Sequence, residues 1–132
     1  MKPEEHSYAA LSHILAILPG WGIFFNVILW LNFKARSHFV VYHAKQAVVF
    51  QVFYLLPLLI VMLVVNLAAR LVSFLLPFLG SVLNTVNTLV FVLAMVFYVG
   101  YCLYGFWKVR TGGDFHYAVA GKFVKQFLSE LD

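Results

Sequence analysis

The chain has 132 residues, of which 64% are hydrophobic and only 11% are charged. This composition excludes an ordinary soluble domain, which needs a polar surface, and it indicates an all-α membrane protein with residues 1–132 in a single membrane domain. The nine basic residues exceed the five acidic ones, an excess that membrane topology explains without a nucleic-acid partner.

The first predicted element is a membrane span at about residues 8–33. Glu4 and Glu5 stand where a signal peptide carries basic residues, and the apolar run is too long for such a peptide. The sequence PGWG at 19–22 interrupts the run, because proline removes a backbone donor and glycine loosens the chain. A kink or a broken helix is therefore expected there.

The second span is predicted at about residues 47–69. Ser37 is a suitable N-cap for the helix that leads into it, and residues 38–45 mix polar and apolar side chains as a headgroup layer requires. Pro57 lies inside the span and predicts a kink. Residues 71–80 are apolar but too few to cross a bilayer, so they predict an interfacial or re-entrant segment.

The third span is predicted at about residues 86–107. Asn84 and Asn87 lie on one side of it at helical spacing, which favours hydrogen bonding to a neighbouring helix. Cys102 is the only cysteine, so an internal disulfide is excluded, and its apolar surroundings indicate an unreactive thiol. The far end is rich in aromatic residues, as at a membrane interface: Tyr98, Tyr101, Tyr104 and Trp107.

An amphipathic helix is predicted at residues 116–131, after the third span. Its apolar side chains recur at steps of three and four, and its polar face carries two lysines. Such a helix lies on the membrane surface or docks on a partner. The apolar face comprises Ala120, Phe123, Val124, Phe127, Leu128 and Leu131, and the polar face Lys122, Lys125, Gln126, Ser129 and Glu130.

Three spans divide the basic residues unevenly between the two membrane faces. One face carries seven of them and the other only Lys2 and Arg70. The positive-inside rule then places the N-terminus outside and the C-terminus in the cytoplasm of a bacterial inner membrane. The seven are Lys34, Arg36, Lys45, Lys108, Arg110, Lys122 and Lys125.

Residues 43–51, HAKQAVVFQ, resemble the H-A-x-Q-A-x-x-F-Q signature of the Tic20-like family of small bacterial membrane proteins, also called DUF4870. Residues 8–13 resemble that family's first-helix opening. Residues 112–117 resemble its G-x-x-[FY]-x-[YF] segment, although Ala118 stands where a proline commonly follows. The resemblance implies a fold more than a function. The family is named after a chloroplast protein-import component with four spans, and some relatives belong to magnetosome membranes.

The residues themselves predict a structural clamp. His43, Gln46 and Phe50 share one helical face, so the imidazole and the amide can bond a neighbouring helix or residues 112–117. Binding of a substrate or ion, and ligation of a metal or pigment, are the alternatives. His38 lies five residues from His43 and so on another face, which argues against a two-histidine metal site. The predicted structural or interaction residues are His43, Gln46, Phe50, Gln51, Asn84, Asn87, Gly112, Gly113 and Tyr117.

Catalytic motifs are missing from the sequence. No acidic residue lies between Glu5 and Asp114, and there is no nucleophile elbow, phosphate loop or HExxH motif. We therefore predict a protein that is not an enzyme and binds no cofactor or metal. It would act as a scaffold or accessory subunit that contacts lipid and other membrane proteins or itself. The alternatives are a component of a translocation pathway and a subunit of a pigment-binding or respiratory complex.

Overall fold

The computed structural model describes residues 3–128, which fold into five α-helices and confirm the predicted all-α class. Two of the helices are long and apolar enough to cross a membrane. The helices are α1 (Pro3–Leu15), α2 (Trp21–Phe33), α3 (His38–Leu75), α4 (Pro77–Arg110) and α5 (Ala120–Phe127).

Helices α3 and α4 form a long antiparallel hairpin. Ser37 caps α3 as predicted, because its hydroxyl accepts a hydrogen bond from the Val40 amide at 3.4 Å. The two helices have 38 and 34 residues, which gives lengths of about 57 and 51 Å at 1.5 Å per residue. Each therefore exceeds the roughly 30 Å of a hydrocarbon core.

The predicted second and third spans lie within α3 and α4, but the segment predicted at 71–80 is wrong as a separate element. Residues 71–75 continue α3, and Pro77 begins α4 after a single linking residue. A first helical position suits proline, because the amide hydrogen that it lacks has no helical partner there. Pro57 lies inside α3 without ending it.

The predicted first span is wrong as a single helix, because α1 and α2 are separate helices that fold back on each other. The chain breaks at residues 16–20, where Gly20 has φ of 78°. Each helix has 13 residues and is about 20 Å long, too short to cross a bilayer. The sequence located this break at 19–22 but did not reveal that the chain reverses there.

Contacts along the helices fix their directions. His6 contacts both the Val109 carbonyl and the Phe39 ring, so the start of α1 lies beside the start of α3 and the end of α4. Trp30, near the end of α2, lies under the Lys45 ammonium. We call this end of the bundle, with its loops 34–37 and 111–119, the basic end. Because both ends of the described chain lie there, the expected placement of the two termini on opposite faces does not fit this packing.

Helix α5 is shorter than the helix predicted at 116–131. It covers Ala120–Phe127 and packs on α3 of its own chain, where Ala120 and Val124 are buried. The Lys45 ammonium donates to the Leu128 carbonyl at 2.6 Å and so caps the end of α5. Of the apolar face, Ala120 and Val124 are thus buried within the chain and Phe123 and Leu128 are partly buried, whereas Phe127 stays exposed. Ser129, Glu130 and Leu131 lie outside the described residues.

Candidate functional site

A chain of four polar side chains is buried where α1, α3, α4 and the 111–119 loop meet. His43 Nδ1 lies 3.1 Å from His13 Nε2, and His13 Nδ1 lies 3.0 Å from the Tyr117 hydroxyl. That hydroxyl donates to Cys102 Sγ at 3.7 Å. All four side chains are almost completely shielded from solvent. We call His13, His43, Gln46 and Tyr117 the clamp, because together they join three separate segments: α1, α3 and the 111–119 loop.

The hydrogen bonds of this chain fit one consistent direction. A bond between two imidazole nitrogens needs one donor and one acceptor, so at least one of the two rings is neutral. Burial raises the pKa of the Tyr117 hydroxyl well above its usual range, so it keeps its proton. Because the Tyr117 hydroxyl donates its hydrogen bond to Cys102, its oxygen accepts from His13 Nδ1. His13 Nε2 then accepts from His43 Nδ1. Nε2 of His43 is buried with no partner among the described residues.

Gln46 and Phe50 hold Tyr117 from other directions. The Gln46 side-chain oxygen accepts from the Tyr117 amide at 3.1 Å. The Phe50 ring stacks on Tyr117 with centroids 4.0 Å apart and planes within 4°, and Tyr98 stacks on Phe50 at 5.4 Å. Gln46 and Phe50, which the sequence placed on one helical face with His43, therefore both contact Tyr117, whereas His43 is linked to it through His13.

Gln51 and Tyr98 donate hydrogen bonds to the backbone at the break between α1 and α2. The Gln51 amide donates to the carbonyls of Ala16 at 2.7 Å and Leu18 at 3.1 Å, and the Tyr98 hydroxyl also donates to Ala16. A helix that ends inside a membrane leaves carbonyls that water cannot reach, and each would be costly if unpaired. These two side chains make the break compatible with an apolar setting.

Glycines permit the close approach of the segments around the clamp. A Cβ atom on Gly105 would lie 2.7 Å from the Phe115 ring and 3.2 Å from His13, so only glycine lets α1 and the loop approach α4 here. Gly112 has φ of 83° and ends α4, a conformation that favours glycine. The Gly113 amide donates to the Lys108 carbonyl at 2.9 Å.

Asn84 and Asn87 do not join the clamp. They lie far along the hairpin, where the side-chain oxygen of Asn84 accepts from Asn66 at 3.4 Å. Asn87 donates to the Met62 carbonyl, also at 3.4 Å. Both asparagines thus face α3, and the predicted site residues divide into one group at the basic end and another near the α3–α4 turn.

His13 and Tyr98 belong to the site but were not among the predicted site residues. A histidine inside an apolar run is a usable signal, since a polar group at that depth needs a partner. Its partners come from α3 and from a loop more than 100 residues away, and only the fold brings them together. Tyr98 looked like one member of an aromatic belt, but it is buried.

The clamp is suited to holding segments together and poorly suited to chemistry on a ligand. Its side chains are buried, so a solute has no direct access to them. Within residues 3–128, no group of three His, Cys, Asp or Glu side chains is arranged to hold a metal ion. An apolar groove of about 790 Å³ runs past Phe50, Tyr54 and Pro57 and borders the clamp at Tyr117.

A protein-family model, described as the magnetosome magnetite crystal formation protein family (MamF/MmsF), matches residues 4–124. This finding overturns the Tic20-like assignment, which rested on a nine-position signature and two short segments, whereas the match covers almost the whole chain. The translocation alternative loses its support with that resemblance. No curated protein and no solved structure matches the chain.

Proposed function

Because the chain belongs to the magnetosome magnetite crystal formation protein family, we propose that it is a non-enzymatic accessory protein of the magnetosome membrane. It would influence crystal formation by packing against lipid and other membrane proteins. The family match over residues 4–124 is the observation that carries this proposal. The fold supports it, since the clamp is built to hold helices in place.

The distribution of carboxylates supports an indirect role in mineral formation. Iron ions that are not held by thiolates prefer oxygen and imidazole ligands, and carboxylates are the usual anionic ones. No acidic residue lies between Glu5 and Asp114, so the long hairpin of α3 and α4 carries no carboxylate. The protein would therefore affect the crystal through its neighbours and not by ligating iron on this hairpin.

We further propose that the basic end faces the cytoplasm. Seven basic residues lie on or beside this end, whereas Arg70 is the only basic residue of the described part of the chain near the α3–α4 turn. The positive-inside rule favours this orientation, with α3 and α4 as the two spans. Helices α1 and α2 would then enter from the cytoplasmic side and return to it.

The far end of the hairpin offers apolar surface for packing. Phe74, Leu75 and Phe78, at the turn beyond Arg70, are among the most exposed large side chains of the described chain. Exposed apolar surface of this kind favours contact with lipid or protein over contact with water. It supports an accessory role in which other membrane proteins, or a second copy, cover the turn.

The proposal can be tested in a magnetosome-forming bacterium that lacks this gene. Loss of the protein is expected to change the size distribution of magnetite crystals in electron micrographs, and the wild-type gene should restore it. A variant in which all five acidic residues become the matching amides should restore it equally well, because no carboxylate contact to iron is needed. The five are Glu4, Glu5, Asp114, Glu130 and Asp132.

Two outcomes would contradict the proposal. Unchanged crystals after gene loss would remove the accessory role. Failure of the amide variant, at normal protein level in the membrane, would show that carboxylates act on the mineral or its precursor ions.

A further inference from the structure

A small polar cavity lies between α3 and α4, close to the turn that joins them. Its volume is about 250 Å³, and its polar lining comes from Asn66, Arg70, Ser73, Ser81 and Asn84. Residues 55–65 of α3 carry no polar side chain. The concentration of polar residues just beyond them is therefore a local feature that needs a physical explanation. The clamp lies near the opposite end of the hairpin and does not involve them.

The side chains of this cavity are linked so that hydrogen-bond donors remain available. Arg70 Nε donates to Asn66 Oδ1 at 3.0 Å, and Asn66 Nδ2 donates to Asn84 Oδ1 at 3.4 Å. Asn66 therefore orients the guanidinium and uses both of its own polar groups. The two terminal nitrogens of Arg70 and the amide nitrogen of Asn84 make no hydrogen bond to the described residues.

The cavity is positively charged and has no carboxylate to balance it. No acidic residue lies between Glu5 and Asp114, so the described residues place no carboxylate beside Arg70 at this end of the hairpin. A guanidinium held by its Nε presents two parallel N–H donors, a geometry that matches two oxygens of a phosphate or carboxylate. The cavity is thus suited to an oxyanion and unsuited to a cation.

The position of the cavity along the membrane normal indicates which oxyanion it meets. Lys45, at the basic end, and Arg70 are 25 residues apart on one helix, which places them about 37 Å apart along its axis. This spacing approaches the roughly 40–45 Å between the outer edges of the two headgroup layers. With the basic end at one headgroup layer, Arg70 lies at the other, where lipid phosphates are abundant.

We propose that this cavity binds the phosphate of a membrane lipid in the leaflet opposite the basic end. The terminal nitrogens of Arg70 donate to two phosphate oxygens, and the Asn84 amide donates to a third acceptor on the headgroup. The inference uses the proposed transmembrane placement of α3 but does not depend on a role in crystal formation.

The test compares lipid retention by purified protein that has been given phosphatidylglycerol in detergent. Native mass spectrometry is expected to show a retained lipid on the wild type, and Arg70→Gln should weaken its binding about tenfold or more, the loss of one or more charge-assisted hydrogen bonds. Arg70→Lys should bind with intermediate strength, because it keeps the charge but loses the two parallel donors. Arg36→Gln, which removes an exposed arginine at the basic end, is the matched control and should leave the most tightly held lipid in place.

A second measurement uses only the wild type and so does not depend on how a variant folds. Phosphatidylglycerol should raise the thermal midpoint more than a diacylglycerol with the same chains, which lacks the phosphate. Equal shifts, or equal lipid loss from Arg70→Gln and Arg36→Gln, would overturn the proposal. Displacement of the lipid by excess inorganic phosphate would overturn the lipid assignment and show a site for a free anion.

Discussion

Replacing Tyr117 with alanine is expected to lower the free energy of unfolding by about 3–5 kcal/mol, the cost of removing a large buried aromatic side chain. The substitution removes the ring that stacks on Phe50 with centroids 4.0 Å apart. It also removes the partner of His13 Nδ1 and leaves that nitrogen buried without a hydrogen bond. Reversible unfolding in mixed micelles, followed by circular dichroism, measures the change.

Two variants separate the parts of this effect. Tyr117→Phe keeps the stacked ring and should cost only about 1–2 kcal/mol, for the lost hydrogen bond. Tyr104→Ala removes a tyrosine of the same size that is 50% exposed, and should cost much less. If Tyr117→Ala is no more damaging than Tyr104→Ala, the loop does not hold the bundle together as described.

The second large effect is expected from the two histidines. His13→Leu and His43→Leu should each lower the free energy of unfolding by about 1–2 kcal/mol, because each leaves a buried nitrogen of the other ring unpaired. The double variant should cost less than the sum, by a coupling of about 0.6 kcal/mol and at most about 1.7, as found for hydrogen bonds between membrane helices.

Gln46 supplies the control for this double-mutant cycle. His43 and Gln46 share a helical face, but His43 bonds His13 and Gln46 bonds the Tyr117 backbone, so the two side chains make separate hydrogen bonds. The coupling energy between His43→Leu and Gln46→Leu should therefore be smaller than that between His13→Leu and His43→Leu. If the free-energy losses of His13→Leu and His43→Leu are additive, the two rings share no stabilising hydrogen bond.

The sequence was most informative where a single helix carries the signal. Long apolar runs located α3 and α4, and helical spacing placed His43, Gln46 and Phe50 on one face. Ser37 was found as a cap because capping depends on residues only three apart. These features are local, so the order of the residues is sufficient to predict them.

The reversal between α1 and α2 could not be predicted in the same way. An apolar run of 26 residues fits one span, and PGWG at 19–22 is compatible with a kink or with a turn. What favours the turn is distant in sequence: Gln51 and Tyr98 supply donors for the carbonyls that the break leaves free. The predicted topology, with the two termini on opposite faces, depends on this one element, because a first span reverses the side assigned to the N-terminus.

The central claim is that the clamp holds α1, and that α1 and α2 fold back on each other without crossing the membrane, so both ends of the described chain lie on one side. Single cysteines at Glu4, Ser81 and Thr111, in a Cys102→Ala background, test it with an impermeant thiol reagent on intact cells of a host with a cytoplasmic membrane. All three positions are exposed. The account predicts labelling at Ser81 in intact cells, and at Glu4 and Thr111 only after lysis. Labelling at Glu4 in intact cells, with Thr111 still protected, would show that α1 and α2 cross the membrane and would contradict the account.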